Sequence, residues 1–374
     1  MKLAIIASHP IQYYDPLFRG LANHAGISLK VFYLCHPKEY RAFDPQFART
    51  VEWDGRMLEG YEHVFVRNRA WAKSQNRMTG MFNPGLFKEL TSFRPSMIIV
   101  TSVVNLSNIL VRGYASFSGV EVAVKGDSTL IRQQKSLKNY FKIAIRKCWI
   151  GRKKKFLYCG RANKYYWRSV AGRQNQLFFF FYDAEMSIPQ DAVLSDQKQN
   201  NRFCFLFVGK MIDKKRPVQL LRAFARLTGK NIELHVVGTG ALMEECEELA
   251  KKDPRVRLEG FVNQSSLARY YARADCLVVP SRGRFETWGL VMNEYRNWGN
   301  FIVASTDVGG AWDLILEGKD GIKFWADSEK ALEKALRTTV AMFSADRVPK
   351  DRVYCERTNY SEAIAGIERL LRHS

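Results

Sequence analysis

The second half of the chain alternates short apolar runs with amphipathic segments, and this alternation limits the fold more than any other feature of the sequence. Apolar runs at Phe203–Val208 and Cys276–Val279, and a mostly apolar segment at Ile232–Val237, are separated by segments with helical spacing, such as 217–227. Runs that are apolar throughout are typical of strands buried on both faces of a parallel sheet. The alternation therefore predicts a doubly wound α/β domain over residues 202–374.

The first half of the chain shows the same pattern less regularly. A strand at Lys2–Ala7, a helix over 12–23 and a following strand open a doubly wound domain, which we predict to span residues 1–187. Residues 188–201 are polar and contain proline and glutamine, so we predict that they link the two domains. A final amphipathic helix is expected over 361–372, and the sequence leaves open whether it packs back on the first domain.

Composition narrows the class of protein. A chain of 374 residues, 47% of them hydrophobic, is long and apolar enough for two buried cores. No secretory signal is expected after Lys2, and the most apolar window, 96–111, is too short to span a bilayer comfortably. The seven cysteines form no Cys-x-x-Cys pair, which favours reduced thiols in a cytosolic protein over a disulfide frame or a zinc site. Residues 38–80 are predicted to be an irregular, aromatic-rich binding insertion.

Positive charge is concentrated in the first half of the chain. Of the formal net charge of +21, residues 1–200 carry 30 basic and 14 acidic side chains, and residues 201–374 carry 28 and 23. The segment Ile131–Arg173 holds fourteen Lys or Arg and no acidic residue, and it includes a predicted basic amphipathic helix. This composition favours contact with an anionic membrane surface. A solvated face on a generally basic domain is the alternative.

Four loops of the second domain follow predicted strands, and in a parallel sheet such loops gather at one edge. Glycine at a strand end lets the backbone approach a phosphate closely, and a nearby lysine supplies neutralising charge. The four loops are Gly209-Lys210 with Lys214 and Lys215 shortly after it, Gly238-Thr239-Gly240, Gly260-Phe261-Val262, and the stretch from Pro280 to Phe301. Met243 stands where a dinucleotide fingerprint has its third glycine, which disfavours a dehydrogenase.

The stretch from Pro280 to Phe301 carries two carboxylates, Glu286 and Glu294, with seven residues between them. If a helix begins near Thr287, Glu294 lies inside it and Glu286 lies just before it, beside amides that can hold a phosphate. Two carboxylates and an anion site suit a ligand that has both hydroxyls and a diphosphate. The alternatives are a helix cap for Glu286 and a surface position for Glu294.

These motifs resemble, in order and spacing, the donor half of the retaining glycosyltransferases of family 4, which have the GT-B fold. The resemblance rests on Gly209-Lys210 through Lys215, Gly238-x-Gly240, Gly260-Phe261, Pro280-Ser281 and Glu286-x7-Glu294, and it continues through Val303-Ala304-Ser305, Gly309-Gly310 and Asp313-Leu314-Ile315. In the first half, His9-Pro10-Ile11-Gln12-Tyr13 and Gly126-Asp127-Ser128 look like a bacterial branch of the cell-surface polysaccharide or lipopolysaccharide type. The resemblance implies two Rossmann-like domains that face a central cleft.

By the same resemblance, the motif residues have expected roles toward a nucleotide-sugar donor, a UDP- or GDP-sugar. Lys210 and Lys215 would contact the diphosphate near Gly209, Gly238 and Gly240, although Lys210 departs from the arginine more often found there. Glu294 would hydrogen-bond the ribose and Glu286 the transferred sugar, while the amides of Thr287, Trp288, Gly289 and Leu290 would bind sugar and phosphate. Phe261 and Val262 would frame the base. Trp288 replaces a more usual phenylalanine, which bears on donor choice.

The chemistry that the resemblance implies needs stabilisation of the negative charge that grows on a leaving diphosphate. Lysines and a helix N-terminus would supply it, and the chain contains no Asp-x-Asp with which metal-dependent transferases usually hold a cation. We therefore expect no cofactor and no divalent metal. The proton of the acceptor would pass to the leaving phosphate itself, with Asp127 or His9 as candidate assistants.

The sequence thus predicts a cytoplasmic glycosyltransferase, attached peripherally to the inner face of the membrane through residues 131–173. Its expected acceptor is a lipid-linked or lipopolysaccharide-type glycan. Two alternatives stay open: a soluble transferase that acts on a small molecule or protein, and a nucleic-acid-binding protein that uses the same positive charge. The aromatic residues around the basic run match no known nucleic-acid reading module, so no nucleic-acid partner is expected.

Overall fold

The computed structural model describes residues 1–36, 57–73, 78–101, 105–132, 155–171, 176–180, 202–283, 286–296, 298, 301–345 and 360–373. The predicted linker, residues 188–201, lies outside these ranges. Residues 133–154, which hold most of the predicted basic helix and its basic tail, lie outside them as well.

The strands described in the first half of the chain form one parallel sheet. They are β1 Lys2–Ala7, β2 Ser28–Tyr33, β3 Glu62–Phe65, β4 Met97–Val100, β5 Glu121–Lys125, β6 Lys155–Tyr158 and β7 Gln176–Phe179. Their spatial order is β3-β2-β1-β4-β5-β6-β7, so the chain starts in mid-sheet and winds outward in both directions. This order reverses direction between β1 and β4, and ligands of doubly wound domains bind beside that reversal.

A second parallel sheet contains the strands described in the second half. They are β8 Phe203–Val208, β9 Ile232–Val237, β10 Val256–Gly260, β11 Cys276–Val279, β12 Phe301–Ser305 and β13 Gly321–Phe324. The order β10-β9-β8-β11-β12-β13 again reverses beside the first strand of the domain. The loops that follow β8, β9, β10 and β11 therefore lie side by side at one edge of this sheet.

Helices cover the faces of both sheets. The described helices are α1 Asp15–Ala22, α2 Gly85–Phe93, α3 Leu106–Ser118, α4 Arg161–Ala171, α5 Pro217–Ala225, α6 Met243–Ala250, α7 Gln264–Arg273, α8 Leu290–Arg296, α9 Ala311–Leu314, α10 Glu329–Ser344 and α11 Tyr360–Arg372. Local chemistry fixes several starts. The side chain of Asn105 accepts a hydrogen bond from the Asn108 amide at the start of α3, and Ser328 caps α10 in the same way through Ala331.

Successive strand residues enter different cores, as expected for sheets covered on both faces. In β1, Leu3 and Ile5 belong to one apolar cluster, whereas Ala4 and Ile6 belong to another. The cluster that contains Leu3 continues to Leu206 in the second sheet, so apolar packing is continuous between the two domains. The prediction of two doubly wound α/β domains is confirmed.

The last helix, α11, lies on the first domain. Gly366 of α11 sits so close to β7 that a Cβ atom there would lie 2.1 Å from the carbonyl oxygen of Phe179. Just after α1, Nε2 of His24 lies 2.6 Å from a carboxylate oxygen of Glu368. The chain therefore crosses from the second domain back to the first before it reaches residue 373.

One prediction about the first domain was wrong. Residues 62–65, within the segment expected to be irregular, form the edge strand β3, which pairs with β2 from Glu62 opposite Lys30 to Phe65 opposite Tyr33. The strand is short and carries polar Glu62 and His63, so its apolar signal is weak. In the described ranges, no helix combines the length and the apolar composition needed to cross a bilayer.

Candidate active site

A cavity of about 630 Å³ lies where the carboxyl ends of the two sheets face each other. Its walls come from both domains, including Gln12 and Tyr13 from the loop after β1. Thirteen of the fifteen predicted site residues line it: Asp127, Gly209, Lys210, Lys215, Gly238, Phe261, Val262, Glu286, Thr287, Trp288, Gly289, Leu290 and Glu294. His9 and Gly240 are not among the lining residues. The structure therefore brings residues that are distant in sequence around one volume.

Close backbone packing holds the loops after β8, β9 and β10 together. The amide of Gly238 donates to the carbonyl of Gly260 at 2.6 Å, and the amide of Gly209 donates to that of Val237 at 3.0 Å. A Cβ atom at Gly238 would lie 1.9 Å from the Gly209 carbonyl oxygen, at a φ of +142° that side-chain-bearing residues rarely adopt. Gly238 is therefore required by the packing of the two loops.

Lysines lie near a buried carboxylate on the second-domain side of the cavity. Lys215 ends a 3₁₀ turn over Asp213–Lys215, and its Nζ lies 2.6 Å from Oε2 of Glu286. Lys210 and Lys214 line the same wall, and burial lowers the pKa of Lys214. The Glu286 side chain is only 8% exposed, so the ion pair lies in a region where its electrostatic interaction is weakly screened.

The helix in this region begins later than predicted. It starts at Leu290 instead of near Thr287. Gly289 has a φ of +88°, which is incompatible with right-handed helix, so the helical geometry can begin only after it. Hydrogen bonds from the loop after β12 hold the turn that precedes this helix. The amides of Gly309 and Gly310 donate to the carbonyls of Glu286 and Trp288 at 3.1 and 2.9 Å.

Glu294 lies inside this helix, α8, and is buried, with only 4% of its surface exposed. Its Oε1 accepts a hydrogen bond from the hydroxyl of Tyr13 at 2.6 Å, and its Oε2 accepts one from the hydroxyl of Tyr271. Burial raises the pKa of Glu294, although both hydrogen bonds act in the opposite direction. The surface alternative for Glu294 is thereby excluded.

The first domain contributes Asp127 and Lys125 at the end of β5. Asp127 lines the cavity, as does Lys125, whose buried Nζ donates to the hydroxyl of Tyr14 at 2.8 Å. Burial lowers the pKa of Lys125, and the charge of Asp127 opposes that shift. Sequence reasoning missed Lys125 because a lysine that ends a strand normally points to solvent.

His9 is not among the residues that line the cavity. Its Nδ1 is 2.9 Å from Oγ of Ser8, and burial lowers the pKa of His9 to about 4. At neutral pH the imidazole is therefore uncharged.

Trp288 lies at the contact between the domains as well as in the cavity wall. Its indole Nε1 donates to Oδ1 of Asn293, which fixes the ring. Gly160 of the first domain approaches the ring so closely that a Cβ atom there would lie 2.4 Å from it. Next to this contact, the amide of Arg161 donates to Asp313 across the domain boundary at 3.0 Å.

One group of potential metal ligands occurs in the described ranges. It comprises Cys204, Glu233 and His235, whose donor atoms lie within 4.8 Å of one another. These side chains belong to β8 and β9, and none of them lines the cavity.

Comparison with known proteins places the second domain in a family. Residues 202–341 match the family model described as glycosyl transferases group 1. The chain is 30% identical over 172 residues to a D-inositol 3-phosphate glycosyltransferase of Nocardioides, which corresponds to 39% of this chain and 35% of that protein. It is 36% identical over 119 residues to granule-bound starch synthase 1 of Pisum sativum, which corresponds to 31% of this chain and 19% of that protein. The chain thus spans less than half the length of these curated relatives.

Solved structures match the whole chain in fold. The lipopolysaccharide outer core galactosyltransferase WaaB has a TM-score of 0.71 at 16% identity, covering 100% of this chain and 99% of that one. HepE of Anabaena in complex with UDP has a TM-score of 0.69 at 13% identity, with 100% of both chains covered. The two facing parallel sheets are therefore the GT-B fold, and the second domain is a group 1 glycosyltransferase domain.

Proposed function

We propose that the protein is a retaining glycosyltransferase of family 4. It would move a sugar from a UDP- or GDP-sugar to a lipid-linked or lipopolysaccharide-type glycan. The cavity carries this proposal, because it combines the lysines and carboxylates of a glycosyltransferase domain with Asp127 of the facing domain. The UDP complex of HepE supports the nucleotide class, and the acceptor named for WaaB supports the glycan class.

When the donor binds, Lys215 and Glu286 would exchange their contact with each other for contacts with the donor. In the structure Lys215 is paired with Glu286. A bound nucleotide sugar would offer diphosphate oxygens to Lys215 and sugar hydroxyls to Glu286, so that both side chains keep partners when the site fills. Phe261 and Val262, at the β10 end of the cavity, would contact the base.

The proposed reaction makes one bond and breaks one. An acceptor hydroxyl oxygen bonds to the anomeric carbon of the sugar while the bond from that carbon to the diphosphate oxygen breaks. Positive charge on Lys210, Lys214 and Lys215 would stabilise the departing diphosphate. The hydroxyl proton passes to an oxygen of that diphosphate or to Asp127, the carboxylate that the first domain presents to the cavity.

Substitution of Lys215 tests the donor site. We expect Lys215→Ala to lower kcat/KM for sugar transfer by about 100-fold, because one charged contact to the leaving group is lost. The thermal stabilisation that UDP or GDP gives the wild type should also shrink. Lys252→Ala, at an exposed position of the same domain, is the matched control and should change neither measurement. Full activity of Lys215→Ala would refute the donor-site assignment.

The proposal assigns no role in transfer to a divalent metal, since the three lysines that the second domain contributes to the cavity wall already provide positive charge for the diphosphate. Turnover should therefore be unchanged by EDTA. A strict requirement for added Mn²⁺ would contradict this part of the proposal.

We also propose that the protein works at the cytoplasmic face of a membrane, bound through residues 131–173. The support is the run of fourteen basic residues without an acidic one. Lys155 is buried in β6 and hydrogen-bonded to Glu121, so the test leaves it unchanged. Reversal of charge at Lys153 and Lys154 should release the protein from anionic vesicles in a flotation assay. Unchanged flotation would remove this part of the proposal while leaving the donor site untouched.

A soluble transferase with a small acceptor is the second candidate. Its support is the sequence match of the second domain to a D-inositol 3-phosphate glycosyltransferase. Transfer to free inositol phosphate, with none to lipid-linked glycans, would favour this alternative.

A further inference from the structure

A hydrogen bond joins the first domain to the carboxylate that is expected to bind ribose. Tyr13 lies in the loop between β1 and α1, and Glu294 lies on α8 of the second domain. The hydroxyl of Tyr13 donates to Oε1 of Glu294 at 2.6 Å, and both residues line the cavity between the domains.

Both carboxylate oxygens of Glu294 already have phenol donors. Oε1 accepts from Tyr13, and Oε2 accepts from Tyr271 of α7. The two donors differ in their surroundings. Tyr271 is fully buried and packs against the ring of Tyr295 at 5.8 Å between centroids, whereas Tyr13 comes from a loop of the other domain and faces the cavity.

A ribose that binds Glu294 through two neighbouring hydroxyls needs an accepting site on each oxygen. Each carboxylate oxygen can accept more than one hydrogen bond, so Tyr271 can stay in place behind the carboxylate. Tyr13 lines the cavity, which is also the side from which a nucleotide would arrive. Burial and the adjacent carboxylate raise the pKa of Tyr13 well above its ordinary value, so its hydroxyl remains a donor at neutral pH.

We infer that the Tyr13 hydroxyl occupies the position on Glu294 that a ribose hydroxyl of the nucleotide takes, so that nucleotide binding and this interdomain hydrogen bond exclude each other. The inference rests on the proposed donor site. It makes Tyr13 a residue that sets donor affinity from the acceptor domain. Nucleotide binding would release the loop between β1 and α1, whose residues Ile11 and Gln12 also line the cavity.

Tyr13→Phe removes the competing hydroxyl and keeps the ring. Nucleotide no longer has to break a hydrogen bond to a charged group, so we expect UDP or GDP to bind about tenfold more tightly by calorimetry. Without nucleotide the variant should unfold at a lower temperature, because an interdomain bond is lost. Tighter binding combined with lower stability is the diagnostic pair, since a residue with only a structural role would weaken both.

Tyr271→Phe is the matched control. It removes a phenol hydroxyl from the same carboxylate, but within the second domain, so it should lower stability without tightening nucleotide binding. Tyr13→Leu is a second variant that also lacks the hydroxyl, and it should bind nucleotide more tightly than the wild type as well.

Three results would overturn the inference. Weaker binding by Tyr13→Phe would mean that Tyr13 itself binds the nucleotide, and unchanged binding would mean that the contact does not compete. If wild-type protein binds neither UDP nor GDP, the proposed function fails and the inference fails with it. Nucleotide binding by the wild type, without a gain in the Tyr13 variants, would refute the inference alone.

Discussion

The two domains share a topology but present different chemistry to the cavity between them. The second domain presents Lys210, Lys214 and Lys215 near the buried carboxylate of Glu286. The first domain presents Asp127 together with Lys125, whose ammonium group is held by a tyrosine in its own wall. A wall with several cations suits a diphosphate, whereas a wall whose buried cation already has a partner suits a neutral, hydroxyl-bearing group.

This difference agrees with where the family match lies. The group 1 family model covers residues 202–341, within the second domain, although both domains share the fold of solved GT-B structures. Fold and chemistry are therefore separable in this protein. The first domain has the same kind of parallel sheet, but the side chains that it presents to the cavity, such as Asp127 and Lys125, differ from those of the second domain.

The largest effect is expected on kcat/KM when one carboxylate from each wall is replaced. We expect Glu286→Gln to lower kcat/KM by about 100- to 1,000-fold, since it removes the charge that pairs with Lys215 and is expected to hold the transferred sugar. Asp127→Asn should cost about tenfold, because the leaving phosphate offers a second acceptor for the proton. Steady-state kinetics with the identified donor measures both.

Nucleotide binding separates this prediction from a loss of folding. Neither variant should lose the thermal stabilisation that UDP or GDP gives the wild type, because both residues act on the sugar or the acceptor. A larger loss for Asp127→Asn than for Glu286→Gln would reverse the assignment of roles to the two walls.

The second expected effect concerns the contact between the walls. Gly160 has a φ of +100°, and a Cβ atom there would lie 2.4 Å from the Trp288 ring and 2.6 Å from a carboxylate oxygen of Asp313. Gly160→Ala should therefore destabilise the protein by about 3 kcal/mol, through backbone strain together with overpacking. Thermal or denaturant unfolding measures this loss.

Gly119→Ala is the control for backbone strain alone. Gly119 ends α3 with a φ of +73°, and an added Cβ atom would meet nothing within 4 Å. Its substitution should cost about 1 kcal/mol. Trp288→Phe should recover part of the loss in Gly160→Ala because the smaller ring leaves room. Equal losses at Gly160 and Gly119 would show that the domain contact is loose.

Sequence reasoning located the strands of the second domain because their signal is local. Strands β8, β9 and β11 have the predicted ends. Strands β8 and β11 are continuous apolar runs, and β9 is mostly apolar and ends at Gly238. Strand β3 was missed because a short edge strand with polar residues acquires its structure from pairing with β2. The start of α8 was misplaced because the positive φ of Gly289 depends on its packing against Val308.

The same contrast holds for the candidate site. Motif spacing led to Glu286 and Glu294, but not to the partners that hold them. Tyr13 and Glu294 are 281 residues apart, and no local pattern in either segment predicts their hydrogen bond. Lys125 was missed for a similar reason, because its burial results from Tyr14 and Phe180, which come from other elements. Partners across domains follow from tertiary packing alone.

The smallest effect is expected on stability, when an acidic residue is replaced in one ion pair of each domain away from the cavity. In the second domain, Asp253 accepts hydrogen bonds from Nε of Arg255 at 2.9 Å and from a terminal nitrogen at 2.7 Å, and both side chains are largely buried. In the first domain, Glu62 of the Lys30–Glu62 pair is 58% exposed. Surface pairs contribute little, so Glu62→Gln should change stability by less than about 0.5 kcal/mol.

Asp253→Asn should cost about 1 kcal/mol at pH 7, and the cost should depend on pH. The hydrogen bonds from Arg255 hold the pKa of Asp253 below its ordinary value of 3.8. A carboxylate with a lowered folded-state pKa stabilises the fold above its unfolded pKa and loses that contribution as pH falls through the folded value. The difference between wild type and Asp253→Asn, measured by denaturant unfolding, should therefore shrink as pH falls below about 4. A constant difference across that range would mean that Asp253 acts through packing, and that charge contributes as little here as it does at Glu62.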